Sequence, residues 1–96
     1  MKEKVVEDRI KEYLFLKHIY YFKVHGSNFQ VRGIPDIVSC INGHFVGIEV
    51  KRPGAKNEQS EYQKIHQRNI EKSGGTYLLV DDVQEVIDYV ESQTTN

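Results

Sequence analysis

Three residues of this chain have types and spacing that could do chemistry: Asp36, Glu49 and Lys51. Asn42-Gly43 lies midway between the two acids. Asn-Gly is the strongest short hairpin signal, because both central positions of a type I′ turn need positive φ. With these two residues as the turn, Ile41 pairs with His44, and each pair of opposed residue numbers sums to 85. Asp36 then faces Glu49. Directly opposed side chains have Cβ atoms about 4.5–5.5 Å apart, where like charges destabilise a sheet. A hard divalent cation gives such a pair a purpose, since magnesium takes oxygen ligands, uses one or two carboxylates and keeps several waters. Lys51 stands two residues beyond Glu49 and shares its face, whereas Val50 points to the other face with Ile48 and Val46. A lysine there can stabilise negative charge or orient a water. These are the parts of metal-assisted phosphodiester cleavage.

The elements that must position these residues follow from periodicity and breakers. Val6, Ile10, Tyr13 and Leu14 recur at helical spacing, which predicts an amphipathic helix from residue 3 to about 17. Tyr20 to Val24 is aromatic and β-branched and reads as a strand. His25-Gly26-Ser27-Asn28 is turn chemistry, and Gly33-Ile34-Pro35 blocks a helix. Asp36–Ile41 and His44–Lys51 are the two hairpin strands, and residues 52–57 form a loop. Ser60 followed by Gln63 predicts a capping box and a helix with Tyr62, Ile65, Asn69 and Ile70 on its inner face. Gly74-Gly75 ends that helix, because glycine readily takes the left-handed position after the last turn. Thr76–Val80 is a short buried strand. Asp82 with Glu85 resembles a second capping box, opening a final helix striped by Val83, Val86, Ile87 and Val90. Residues 92–96 are expected to fray. The order is αβββαβα, a mixed sheet with helices packed on it.

Composition bounds the rest. Ninety-six residues suit one domain spanning 1–96. Hydrophobic residues at 39% and charged residues at 28% fit a globular chain rather than a disordered one. No apolar run approaches the roughly 20 residues of a bilayer span. The charged N-terminus is no signal peptide. The single cysteine, Cys40, excludes an internal disulfide and a cysteine-rich zinc site, points to a reducing cytoplasm, and reads as a core filler. The net charge of −1 conceals a basic middle, +4 over residues 17–72, and an acidic end, −5 over residues 81–96. His18, His25, His44 and His66 show no metal-ligand spacing and read as surface or turn residues.

Pro35-Asp36, then twelve residues, then Glu49-Val50-Lys51 resembles the PD-(D/E)xK nuclease motif. With Gly33-Ile34, Gly47-Ile48, Gln63 and Gly74-Gly75 added, the chain resembles the virus-type replication-repair nuclease family, VRR-NUC, from Glu7 to about Val80. The resemblance implies an α/β, restriction-endonuclease-like αβββαβ core, here with a C-terminal helix. It implies that Asp36, Glu49 and the Val50 main-chain carbonyl hold Mg²⁺ or Mn²⁺, with Glu7 reaching the metal directly or through water. It implies that Lys51 orients or activates the attacking water, with Gln63 near the scissile phosphate or Lys51.

Lys23, Arg32, Arg52 and Lys56 flank the acids in sequence and are the natural phosphate grips, since bare acids repel DNA. Gly33 could allow close backbone approach to a ligand. The expected activity is a metal-dependent, structure-selective DNA endonuclease with no organic cofactor and no membrane. No groove-reading helix or zinc finger is visible, which disfavours base readout. A four-way junction has near two-fold symmetry and needs two cuts, so a C₂ homodimer is expected, with some of Tyr20, Tyr21, Phe22 and Phe29 lining its interface. A monomeric flap or nicking nuclease and a non-catalytic DNA-binding subunit are the alternatives.

Overall fold

A computed structural model describes residues 1–25 and 31–94. The elements run α1 (Glu3–Leu16), β1 (Tyr21–Lys23), β2 (Ile37–Ile41), β3 (His44–Val50), α2 (Glu61–Lys72), β4 (Thr76–Val80) and α3 (Val83–Thr94). A 3₁₀ turn at Lys56–Glu58 interrupts the expected loop. The molecule is α/β, with one mixed sheet in the order β1-β2-β3-β4. The first two pairings are antiparallel, and β3–β4 is parallel across the α2 crossover.

The hairpin has the expected register: Ile41 pairs with His44 and Ile37 with Ile48. Asn42 and Gly43 both have positive φ, 52° and 82°, as a type I′ turn requires. Alternation along the strands then sorts the side chains. Ile37, Ile41, Val46, Ile48, Val50 and Val80 point to one face and join Val6, Ile10, Leu14, Val86 and Val90 in the core, so α1 and α3 cover that face. Val38, Phe45, Gly47, Glu49 and Tyr77 point to the other, where α2 lies.

Glycines seat α2. A Cβ on Gly33 would lie 2.4 Å from the Tyr62 carbonyl carbon and 2.7 Å from the Gln63 nitrogen, and Gly33 has φ +84°. A Cβ on Gly47 would meet Pro35 Cγ at 2.8 Å and Ile70 Cδ1 at 3.2 Å. Gly74, with φ +94°, turns the chain after α2 as expected.

Some expectations need correction. Tyr62, Ile65 and Asn69 are exposed; Gln63, His66, Gln67 and Ile70 are the half-buried positions of α2. The helix is rotated because Gly33 and Gly47 admit its backbone and Ile70, leaving Gln63 to point inward. Cys40 is exposed rather than core, because it sits on the α2 side of β2, beyond the reach of that helix. Tyr20 and Phe22 are on the same uncovered stretch, 71% and 48% exposed, with their rings edge to face at 6.4 Å. The second cap is shifted. Asp82 accepts from Gln84 N at 2.8 Å, while Glu85 reaches back to Asp81 N at 2.9 Å. Helix α3 continues through Thr94, past the expected fraying point at Ser92. Residues 95 and 96, Phe29 and the Gly26-Ser27-Asn28 turn lie outside the described residues.

Gly33 and Gly43 separate backbone strain from packing. Nothing lies within 4 Å of a Cβ built on Gly43, so Gly43→Ala meets only the left-handed φ, about 1–2 kcal/mol. Gly33→Ala carries the same strain and the collision with α2, so it is expected to cost more. Urea unfolding of both variants checks this, and equal losses would mean that α2 yields freely.

Candidate active site

Asp36 sits one residue before β2, where the hairpin register carries it to Glu49. Val24 N donates to the Asp36 carbonyl at 2.8 Å, and Val50 N donates to Asp36 Oδ2 at 2.7 Å. The carboxyl is thereby fixed against the end of β3. Glu49 is only 4% exposed. Its Oε2 accepts from Gln63 Nε2 at 3.0 Å, and its Oε1 is buried without a hydrogen-bond partner. Burial, then the charge of Asp36, pushes the Glu49 carboxyl up to about 9.

Gln63 links this acid to the lysine. Its Oε1 accepts from Lys51 Nζ at 3.1 Å and from Ser60 N at 2.9 Å, while Ser60 Oγ accepts from Gln63 N at 3.1 Å. The capping box and the site are therefore one structure, sharing one carboxamide. Lys51 Nζ also donates to the Glu58 carbonyl at 3.3 Å.

Glu7 stands apart from the acid pair's hydrogen bonds. It is 6% exposed, and its Oε1 takes Lys23 Nζ at 2.7 Å while its Oε2 takes Lys11 Nζ at 3.2 Å. Burial alone would raise this carboxyl, but the hydrogen bonds from Lys23 and Lys11 outweigh it and hold it below its usual value. Glu3, one turn earlier on the same face of α1, also bears on the acid pair. Burial first, then the charge of Asp36, raises its carboxyl, and Glu3 in turn raises Glu49. The i,i+4 spacing of Glu3 and Glu7 is the signal of this in the sequence.

The expected phosphate grips are each engaged by another group of the chain. Lys23 is held by Glu7, Arg52 pairs with Glu58 at 2.8 Å, and Lys56 pairs with Glu85 at 2.5 Å. Arg32 is exposed and lies over the Tyr62 ring at 5.5 Å. Gly33 serves the packing of α2.

The donor set suits a hard divalent cation. Asp36 and Glu49 offer oxygens, and the buried Oε1 of Glu49 lacks a donor that a cation would replace. Among the described residues, no three His, Cys, Asp or Glu side chains form a metal-holding group. The oxygens that the chain offers here are those of the acid pair, Asp36 and Glu49.

A scan against protein-family models finds no match for this chain, and a search of curated proteins finds none either. Among the described residues no helix is long and apolar enough to cross a membrane.

The raised Glu49 carboxyl has a direct consequence. The folded chain keeps a proton that the unfolded chain releases near the ordinary glutamate value of 4.5. The stability tied to that proton is complete below 4.5 and is lost as pH rises toward about 9. Metal-free protein is therefore expected to unfold at lower urea as pH rises across this window. Glu49→Gln is expected to flatten the trend; an unchanged slope would show that Glu49 is ionised throughout.

Proposed function

We propose that this chain is a metal-dependent DNA endonuclease of the VRR-NUC kind. The observation that carries the reading is the Gln63 carboxamide, which joins the buried carboxylate Glu49 to the ammonium of Lys51 beside Asp36. An acid pair and a cation held on one rigid frame suit a reaction that builds negative charge on phosphorus-bound oxygens.

The residues divide the work. Asp36, Glu49 and the Val50 carbonyl would hold Mg²⁺ or Mn²⁺. The ion would supply charge neutralisation and a more acidic water. Lys51 has three donors, of which Gln63 and Glu58 take two. The third is free for a water or a phosphate oxygen. Gln63 keeps the ammonium in place, and Glu3 adds negative charge on the α1 side.

For the substrate we favour branched DNA, a four-way junction first, cut by a homodimer. Support comes from the exposed apolar side chains. Tyr20, Phe22, Phe45, Tyr62 and Ile65 are each between 44% and 71% exposed. Phe45 and Ile70 border a groove with Asn69, Ser73 and Gly75. Aromatic side chains bury about 150–250 Å² each. Half-exposed residues of this size supply on the order of 500 Å², much of the roughly 800 Å² per partner that a stable interface needs. Light scattering is expected to give twice 11.2 kDa, and Ile65→Glu to return a monomer.

The deciding assay is cleavage of labelled four-way junction, flap and duplex DNA with Mg²⁺, Mn²⁺ or EDTA. Glu49→Ala is expected to abolish cutting, and Lys51→Ala to slow it on the order of 10²–10³-fold, as for loss of one transition-state donor. Paired cuts on the junction support the resolvase reading, and cuts on the flap alone support a monomeric flap nuclease. Binding without cutting, indifferent to metal and to both variants, would leave a DNA-binding subunit.

A further inference from the structure

Cations reach the acid pair from both sides of the sheet. Lys51 comes from the α2 side through Gln63. Lys23 comes from the α1 side: it pairs with Ile37, whose side chain is in the core, and the next residue, Val24, donates to Asp36. Lys23 Nζ is 2.7 Å from Glu7 Oε1 and 3.8 Å from Asp36 Oδ1. It thus bridges two carboxylates that belong to different elements.

Glu7 is saturated. Each of its oxygens carries an ammonium group, Lys23 on one and Lys11 on the other, and Lys4 lies 3.7 Å from the second. The side chains of Lys11 and Lys23 are only 24% and 26% exposed, so these contacts are shielded from water. To ligate a metal, Glu7 would have to release an ammonium group that the metal would then repel. Around the site, five carboxyl groups (Glu3, Glu7, Asp8, Asp36 and Glu49) face the four ammonium groups of Lys4, Lys11, Lys23 and Lys51. One divalent ion already exceeds the residual negative charge.

We propose that Lys23 is a built-in counter-cation of this centre. It fills the place between Glu7 and Asp36 that a second divalent ion would otherwise take, so the site holds one divalent cation. Lys23 is a positioning residue, not a phosphate grip: it sets the occupancy from the α1 side, 3.8 Å from Asp36 Oδ1. This inference rests on the cation-dependent reading above.

The test counts bound Mn²⁺ per chain by room-temperature electron paramagnetic resonance of the free ion, with no DNA present. The wild-type chain is expected to bind one ion, as is Lys23→Arg, which keeps the fixed charge. Lys23→Met is expected to bind two. The second ion is expected to disappear in Glu7→Gln/Lys23→Met, which removes both charges of the buried pair and strands neither. If Lys23→Met does not fold, the wild-type and Lys23→Arg counts can still overturn the inference, and the folded Glu7→Gln/Lys23→Met chain is expected to bind one ion. Two ions in either of them, or one ion in folded Lys23→Met, overturn the inference and leave the nuclease reading standing. No ion in the wild type overturns both.

Discussion

The carboxamide of Gln63 is the constraint on which the site depends. Its oxygen accepts from the Ser60 backbone and from Lys51, and its nitrogen donates to Glu49. The first contact closes the N-terminus of α2, and the other two close the end of β3. Gln63 can make all three only if α2 starts at one register and lies at one depth. Gly33 sets that depth, because its missing side chain lets the Tyr62–Gln63 backbone come within 3 Å of where a Cβ would stand. Gly47 does the same under Pro35 and Ile70. The glycines around the acids therefore act through packing, and their effect on the chemistry is indirect.

The acids themselves work against the fold. Glu49 is buried with one oxygen unsatisfied and a second carboxyl opposed to it, an arrangement that costs stability in the metal-free protein. The surrounding structure tolerates it because the neighbouring core is ordinary and well filled: Ile48 and Val50 flank Glu49 on the opposite face, both fully buried. Glu7 shows the contrasting solution. It is as buried as Glu49, but two lysines complete its charge and keep it ionised. Two buried glutamates thus have opposite shifts: burial, then the charge of Asp36, raises Glu49, whereas at Glu7 the bonds from Lys23 and Lys11 outweigh burial.

The hairpin was legible in the sequence because Asn42-Gly43 allows few turns and a two-residue turn leaves one register. The caps of α2 were legible for a similar local reason. The face of α2 was not. Tyr62 and Ile65 have the spacing of an inner face, yet Gln63 is the residue that points in. Periodicity misleads where a polar side chain is buried for its hydrogen bonds and apolar ones are left on an open surface. Cys40 failed in the same way, since alternation along β2 gives its face but not whether anything covers it. The partners of Glu7 and Lys23 depend on where α1 crosses β1, which no local pattern encodes. That is why Lys23 reads from sequence as a surface grip and Glu7 as a ligand.

Asp36 shows how far the site is organised in advance. Its two oxygens face different elements: Oδ2 takes the Val50 amide, and Oδ1 faces Lys23 across 3.8 Å. Glu49 is likewise divided, with Oε2 held by Gln63 and Oε1 without a donor. One oxygen of each carboxyl is fixed by a short neutral hydrogen bond, which sets the plane of the group. The other oxygen is held loosely or not at all. On the proposed reading a cation would engage Glu49 Oε1 without breaking the bonds that orient the two carboxyls. Preorganisation of this kind avoids the reorganisation that electrostatic catalysis would otherwise require. The groups that orient the acids directly are amides, the backbone of Val50 and the side chain of Gln63, which hold the carboxyls without adding charge.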